Sequence, residues 1–167
     1  RKAIELNPDF ANAHLNLGSI LKYLDKLQDA EVSTRKAIEL NPDFANAHLN
    51  LGIILSDLGK LQDAEVSTRK AIELNPDFAE AHSNLGNILR DLGQLKDAEV
   101  STRKAIELTP DYAKAHLNLG IILKYLGKLQ DAEVSTRKAI ELNPDFAEAH
   151  SNLGIVLSDL GKLQDAE

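Results

Sequence analysis

The sequence predicts an all-α solenoid of antiparallel helix pairs, and three observations carry that prediction. A 34-residue stretch, Ala11 to Phe44, recurs with few changes from Ala45, Ala79 and Ala113 and, cut short, from Ala147. Proline and histidine fall only into fixed columns of that period: all five prolines (Pro8, Pro42, Pro76, Pro110, Pro144) share one position, and all five histidines (His14, His48, His82, His116, His150) share another. Between these markers the apolar residues keep a helical spacing. A unit of this size cannot bury a core alone, so each must stack its apolar faces on its neighbours. One solenoid is therefore expected over residues 1–167: 1–10 end a partial repeat, 11–44, 45–78, 79–112 and 113–146 are full repeats, and 147–167 begin another.

Within a repeat counted from 1 at Ala11 to 34 at Phe44, the first helix is expected to begin near Asp43 and its equivalents. There Asp77 to Glu80 and Asp145 to Glu148 read as capping boxes, and proline closes off the helix before. Gly59, Gly93, Gly127 and Gly161 mark its end as left-handed residues just past the last turn, with Asp25 in their place in the first repeat. The second helix is expected from about Gln28 to Leu40, with Glu31, Arg35 and Glu39 four residues apart as a ladder of ion pairs. A glycine inside the first helix (Gly18, Gly52, Gly86, Gly120, Gly154) costs about 1 kcal/mol against alanine. Close approach of the paired helix at Ala30 and Ala37 is the expected compensation.

At about 100° per residue the first helix divides into two arcs. Phe10, Ala13, His14, Leu17, Gly18, Ile20, Leu21 and Leu24 form the packing arc in the first full repeat. The opposite arc is expected to be exposed, yet it is not uniformly charged. Its sixth position is asparagine in every copy, namely Asn16, Asn50, Asn84, Asn118 and Asn152. Beside these lie Leu15, Leu49 and Leu117, then Ile53, Ile121 and Ile155, then Tyr23 and Tyr125. An exposed stripe of apolar residues and amides is the surface least explained by solubility. An asparagine side chain offers two donors and two acceptors, which suits the N–H and C=O of an extended peptide. It equally suits a bond to a neighbouring helix, and both readings stand. Arg90, Lys114 and Lys124 on the same arc alternate with Asp91 and Glu148, which favours internal peptide segments over a clamp for a terminal carboxylate.

The period, the Leu17-Gly18 pair, Ala30, Ala37 and Pro42 resemble the tetratricopeptide repeat over the whole chain. The unit departs from that pattern where aromatics are usual, with His14, Leu21 and Thr34 in their places. The resemblance implies a right-handed superhelix whose first helices line a concave groove. The segments Pro76 to Gly86 and Pro144 to Gly154 are especially similar to the repeats of O-linked N-acetylglucosamine transferase, whose asparagine ladder grips substrate peptides. That resemblance implies the same role for the five asparagines here.

The remaining composition narrows the function. A formal charge of −7 argues against a nucleic-acid surface, and no run approaches the roughly 18 apolar residues of a membrane span. With no cysteine there is no thiolate chemistry. The histidines lie on the packing arc a full repeat apart, as packing residues rather than metal ligands. Ser33 to Lys36 matches Ser-x-x-Lys but recurs in every second helix without partner motifs. No enzyme, cofactor or metal is expected, and the reading is a non-enzymatic scaffold that binds an extended peptide or protein segment. The alternatives are head-to-tail self-association into a longer superhelix, or the targeting module of an enzyme whose catalytic domain is absent. A cytoplasmic location is the default expectation, with the natural N-terminus expected upstream of Arg1.

Overall fold

A computed structural model describes residues 6–161 and, among them, nine α-helices and no strand. The first helices of the repeats are α1 (Ala11–Tyr23), α3 (Ala45–Asp57), α5 (Ala79–Asp91), α7 (Ala113–Tyr125) and α9 (Ala147–Asp159). The second helices are α2 (Leu27–Leu40), α4 (Leu61–Leu74), α6 (Leu95–Leu108) and α8 (Leu129–Leu142). Contacts divide into two units, one ending at Ala81 and the other starting at His82. In the first unit α1 packs on α2 and α3 on α4, while α3 also touches α2 and α1. The second unit repeats the scheme, with α7 on α8 and α7 touching α6, and with α9 on α8 and α7.

Each turn follows from local chemistry. Gly59 adopts φ 73°, Gly93, Gly127 and Gly161 adopt 78°, 73° and 72°, and Asp25 follows them at 58°. The Lys60 N–H then reaches back to the Leu55 carbonyl at 2.8 Å and the Gly59 N–H to Ser56 at 2.9 Å, which closes the helix end. The helix starts differ from expectation. Phe44, Tyr112 and Phe146, not the aspartates before them, hold the N-cap position, and none makes a side-chain cap bond. The Phe44 N–H closes a turn onto the Asn41 carbonyl at 3.2 Å, which carries the helix start past Asp43. The histidine column supplies the anchor: His48 Nε2 donates to the Pro42 carbonyl at 2.9 Å, and His14, His116 and His150 repeat this at 2.8 to 2.9 Å. A carbonyl only accepts, so Nε2 carries the hydrogen in each ring.

The core is built from small residues. Ala30, Ala64, Ala98 and Ala132 are fully buried, as are Ala37, Ala71, Ala105 and Ala139. Against them pack Leu21, Ile54, Leu17 and Leu58 in the first unit, and Leu119, Leu123, Val156 and Leu160 in the second. The glycine inside each of α1, α3, α5 and α7 faces its partner more tightly than expected, and through a different residue. A Cβ on Gly18, Gly52, Gly86 or Gly120 would collide with the hydroxyl of Thr34, Thr68, Thr102 or Thr136. It would also lie 3.2 to 3.3 Å from the carbonyl of Ala30, Ala64, Ala98 or Ala132. Thr34, where the family commonly has an aromatic, is thus the complement of the glycine.

Second helices carry ion pairs within and between repeats. Glu31 accepts from Arg35 at 2.9 Å and from Lys60 of the next repeat at 2.7 Å; Glu99 does the same with Arg103 and Lys128. The expected ladder stops there, because Glu39 takes Lys36 at 2.7 Å in place of Arg35. The hydrogen bond from Lys60 holds the Glu31 carboxyl below the usual glutamate value, against partial burial and with help from Arg35, and Lys128 acts likewise on Glu99.

Two outcomes follow for stability. Gly86→Leu is expected to destabilise the chain by about 1 to 3 kcal/mol through overpacking, despite leucine's better helix propensity; a raised denaturant midpoint would contradict the contact. Because the folded values of Glu31 and Glu99 are depressed, their stabilisation is present above the unfolded value of about 4.3 and fades as pH falls through the lower folded one. Glu31→Gln with Glu99→Gln should therefore lower the midpoint near pH 6 by a modest amount, in keeping with about 0.2 to 1 kcal/mol per exposed pair, and the difference should shrink as the pH falls below about 4. A difference that persists at low pH would show that the carboxylate charge is not its source.

Candidate functional site

The outer arc of the first helices is the candidate site, and its residues fare differently in the two units. In the first unit an open cleft of about 370 Å³ is lined by Leu15, Asn16, Ser19, Asn46, Leu49, Asn50, Ile53, Phe78 and Glu80. Asn16 is exposed and Asn50 half-buried. The Asn50 Nδ2 donates to Ser19 Oγ at 3.2 Å, and that hydroxyl donates in turn to the Leu15 carbonyl at 3.2 Å. The bond fixes one N–H of the Asn50 amide and leaves its Oδ1 and second N–H beside the cleft. Leu15 and Ile53 are half-buried, and Tyr23 stands exposed near the end of α1. At that end Lys22 meets Asp57 at 3.4 Å.

In the second unit the asparagine column sinks inward. Asn118 is 5% exposed and donates to Ser83 Oγ at 3.0 Å; Asn152 is 7% exposed and donates to Thr136 Oγ1 at 2.9 Å. Thr136 passes its own hydrogen to the Ala132 carbonyl at 2.8 Å. These two asparagines bond neighbouring helices, whereas Asn84 is half-buried. Ile121 is half-buried, and Ile155 and Tyr125 are exposed, with Lys124 Nζ 5.4 Å from the Tyr125 ring centroid. Lys114 is exposed. Arg90 is ion-paired to Asp91 at 2.8 Å and bonded to Asn87 at 3.4 Å, so its charge is largely met within its own helix.

The expected exposure of the stripe is corrected at four positions. Leu49 and Leu117, at 4% and 2% exposed, belong to the core: Leu49 packs with Ala71, Ala81, Ile53 and Phe78, and Leu117 with Ala139, Ala149, Ile121 and Phe146. Asn118 and Asn152 are the other two. The cause is that a first helix touches its own partner, the preceding second helix and the neighbouring first helix, so more than one of its faces is covered. Ser19, Asn46, Phe78 and Glu80 join the predicted residues at the cleft. Ser19 and Asn46 lie on the outer arc and were legible from the wheel; Phe78, assigned to packing, is not placed at the cleft by periodicity alone.

Other candidates resolve into structure. The serine of Ser-x-x-Lys bonds backbone, with Ser67 Oγ donating to the His48 carbonyl at 2.9 Å and Ser101 to that of His82 at 3.1 Å. Its lysine pairs with glutamate three residues on, as in Lys70–Glu73 at 2.7 Å. Among the described residues no three His, Cys, Asp or Glu cluster to hold a metal ion, and no helix is long and apolar enough to cross a membrane.

Models of the tetratricopeptide repeat match residues 11–44, 45–78 and 113–146, more than half of the chain, and related models match 68–100, 86–127 and 136–167. No curated protein matches. Among solved structures the chain is similar to YrrB, a TPR protein with an unusual peptide-binding site, at 26% identity over 99% of this chain and 85% of that one, with a TM-score of 0.74. It is similar to MamA at 26% identity, over 89% of this chain and 87% of that one, with a TM-score of 0.77. PilW, a type IV pilus biogenesis factor, shares the fold at a TM-score of 0.91 and 24% identity, over 99% of this chain and 77% of that one.

The threonine column offers a direct check on which side chains are structural. Thr34 Oγ1 and Thr68 Oγ1 are buried without a hydrogen-bond partner, unlike Thr136 Oγ1. Thr34→Val should thus be near neutral, while Thr136→Val should cost about 1 to 3 kcal/mol by stranding the Asn152 amide. Equal denaturation midpoints for the two variants would contradict this assignment.

Proposed function

The chain belongs to the tetratricopeptide repeat family, and on that premise we propose that it is a non-enzymatic protein-interaction scaffold holding an extended peptide or protein segment on its first-helix face. The observation that carries this reading is the cleft of the first unit, where Asn16 and Asn50 stand beside Leu15, Ile53 and Phe78. Amides placed next to apolar surface match an extended chain, whose backbone needs hydrogen-bond partners while its alternate side chains need pockets. Ser19 holds one N–H of Asn50, so the amide meets a ligand already oriented and loses little freedom on binding. The peptide-binding site named for YrrB, at 26% identity, supports a peptide as the ligand class.

Within the second unit Asn84, Ile121, Ile155, Tyr125, Lys114 and Lys124 occupy the equivalent arc of its own first helices, and Asn118 and Asn152 also fix helix positions there. A mixed charge, with Lys22 bridged to Asp57 and Arg90 to Asp91, favours a segment without a strong charge of its own.

The test is a displayed library of unstructured peptides screened against the chain and against Asn16→Ala with Asn50→Ala, both first shown to melt alike. Peptides enriched by the parent should bind the double variant roughly 30-fold more weakly, at about 1 kcal/mol per lost hydrogen bond. Asn118→Ala should act on stability more than on affinity. A parent that enriches nothing, or a variant that enriches the same peptides equally, would remove the reading.

A further inference from the structure

A further cleft in each unit lies away from the asparagine cleft of the first unit, between successive second helices. In the first unit it measures about 610 Å³ between α2 and α4, with a floor of Ile38, Leu51, Leu55 and Val66. In the second it measures about 480 Å³ between α6 and α8, with Ile106, Leu119 and Val134 at the same positions of the repeat. No residue lines both this cleft and the asparagine cleft of the first unit. Val66 and Val134 in this lining are 70% and 69% exposed, branched apolar side chains left open to an occupant.

The polar groups around this floor are already engaged with one another. Ser67 bonds the His48 carbonyl and His48 bonds that of Pro42. Arg35 is held by Glu31, Lys70 by Glu73, and Glu39 by Lys36, each at 2.7 to 2.9 Å. In the second unit Arg103, Lys138 and Glu107 are held in the same way. The exception is Asp63, exposed and without an ion pair among the described residues. It lies in the first turn of α4, where the helix dipole tolerates a carboxylate. An occupant of this cleft therefore meets an apolar floor, neutralised rims and one open negative charge, on a chain whose net charge is −7.

We propose that the clefts between second helices form a second docking surface, distinct from the asparagine face, for an amphipathic helix of a partner protein. Such a helix seats a leucine- or phenylalanine-sized side chain on the Ile38, Leu51, Leu55 and Val66 floor and sets a lysine or arginine, about one turn away, against Asp63. The long-range field of the chain favours the approach of that cationic partner.

The probe is a helical peptide of about 18 residues made only of leucine and lysine, with leucine on one face. It is added to the whole chain and followed by two-dimensional NMR shift mapping and by fluorescence anisotropy. Shifts are expected at Val66, Ser67 and Val134. Val66→Glu with Val134→Glu should weaken binding at least about tenfold, and Asp63→Asn about threefold at low salt with the difference lost at high salt. Asn16→Ala with Asn50→Ala should leave this binding unchanged, which separates it from the peptide reading above. Shift mapping on the parent needs no variant to fold. The proposal is overturned if a scrambled peptide of the same composition, with no apolar face, binds as well, or if the shifts fall on Asn16, Asn50 and Ile53.

Discussion

The structure depends on one close approach, that of the first-helix glycine to the threonine and alanine of its partner helix. Gly52 leaves room for Thr68 and for the Ala64 carbonyl where no Cβ fits, and Gly86 and Gly120 do the same for Thr102 and Thr136. Interaxial distance is set by the side chains at the contact, so a pair built on glycine, alanine and threonine is drawn in tightly. Leucine and isoleucine are then left for the junctions between repeats, where Ile54 and Leu21 meet over Ala30. The helix pair is thus the rigid unit, and the larger side chains are what join one pair to the next.

That division of labour explains where the repeats vary. The second helices are almost identical in sequence, from Leu27–Leu40 to Leu129–Leu142. Each must complement a glycine on one side and bond the next repeat on the other, as Glu31 does through Lys60. The outer arc of the first helices has no such double duty, and there position 5 is leucine in three repeats and serine in two, while position 9 varies as well. The variation has structural consequences. Ser83 at position 5 gives Asn118 an inward partner that buries it, while Asn50 reaches the more exposed Ser19 at position 9 and stays half-buried. Five identical asparagines therefore do not make five equivalent positions.

Much of this was legible in the sequence because it rests on local rules. The period, the left-handed residues after each first helix and the extent of the second helices follow from backbone sterics and periodicity, and Asp25 takes its place beside the glycines at φ 58°. The glycine contact was legible in kind but not in its partner, since only packing reveals that Thr34 stands against Gly18. The burial of Leu49 and Leu117 has one cause. A helical wheel assumes one buried face, but Leu49 is covered by Ala71 of α4 and by Phe78 and Ala81 of the following repeat, and Leu117 by Ala139, Phe146 and Ala149 likewise, so both sink into the core although the wheel places them outside. The capping box at Asp145–Glu148 failed for a more local reason, because the turn onto Asn143 gives the cap position to Phe146.

The first-helix cleft is the proposed recognition surface on a scaffold held by glycine–threonine contacts. Its asparagine amides carry side-chain N–H signals that can be followed by NMR as a peptide enriched by the chain is added. The amide signals of Asn16 and Asn50 and the methyl signals of Ile53 are expected to move together, while Val66 on the second helix stays fixed. Movement of the second-helix signals with the Asn16 and Asn50 amides unchanged would contradict this expectation.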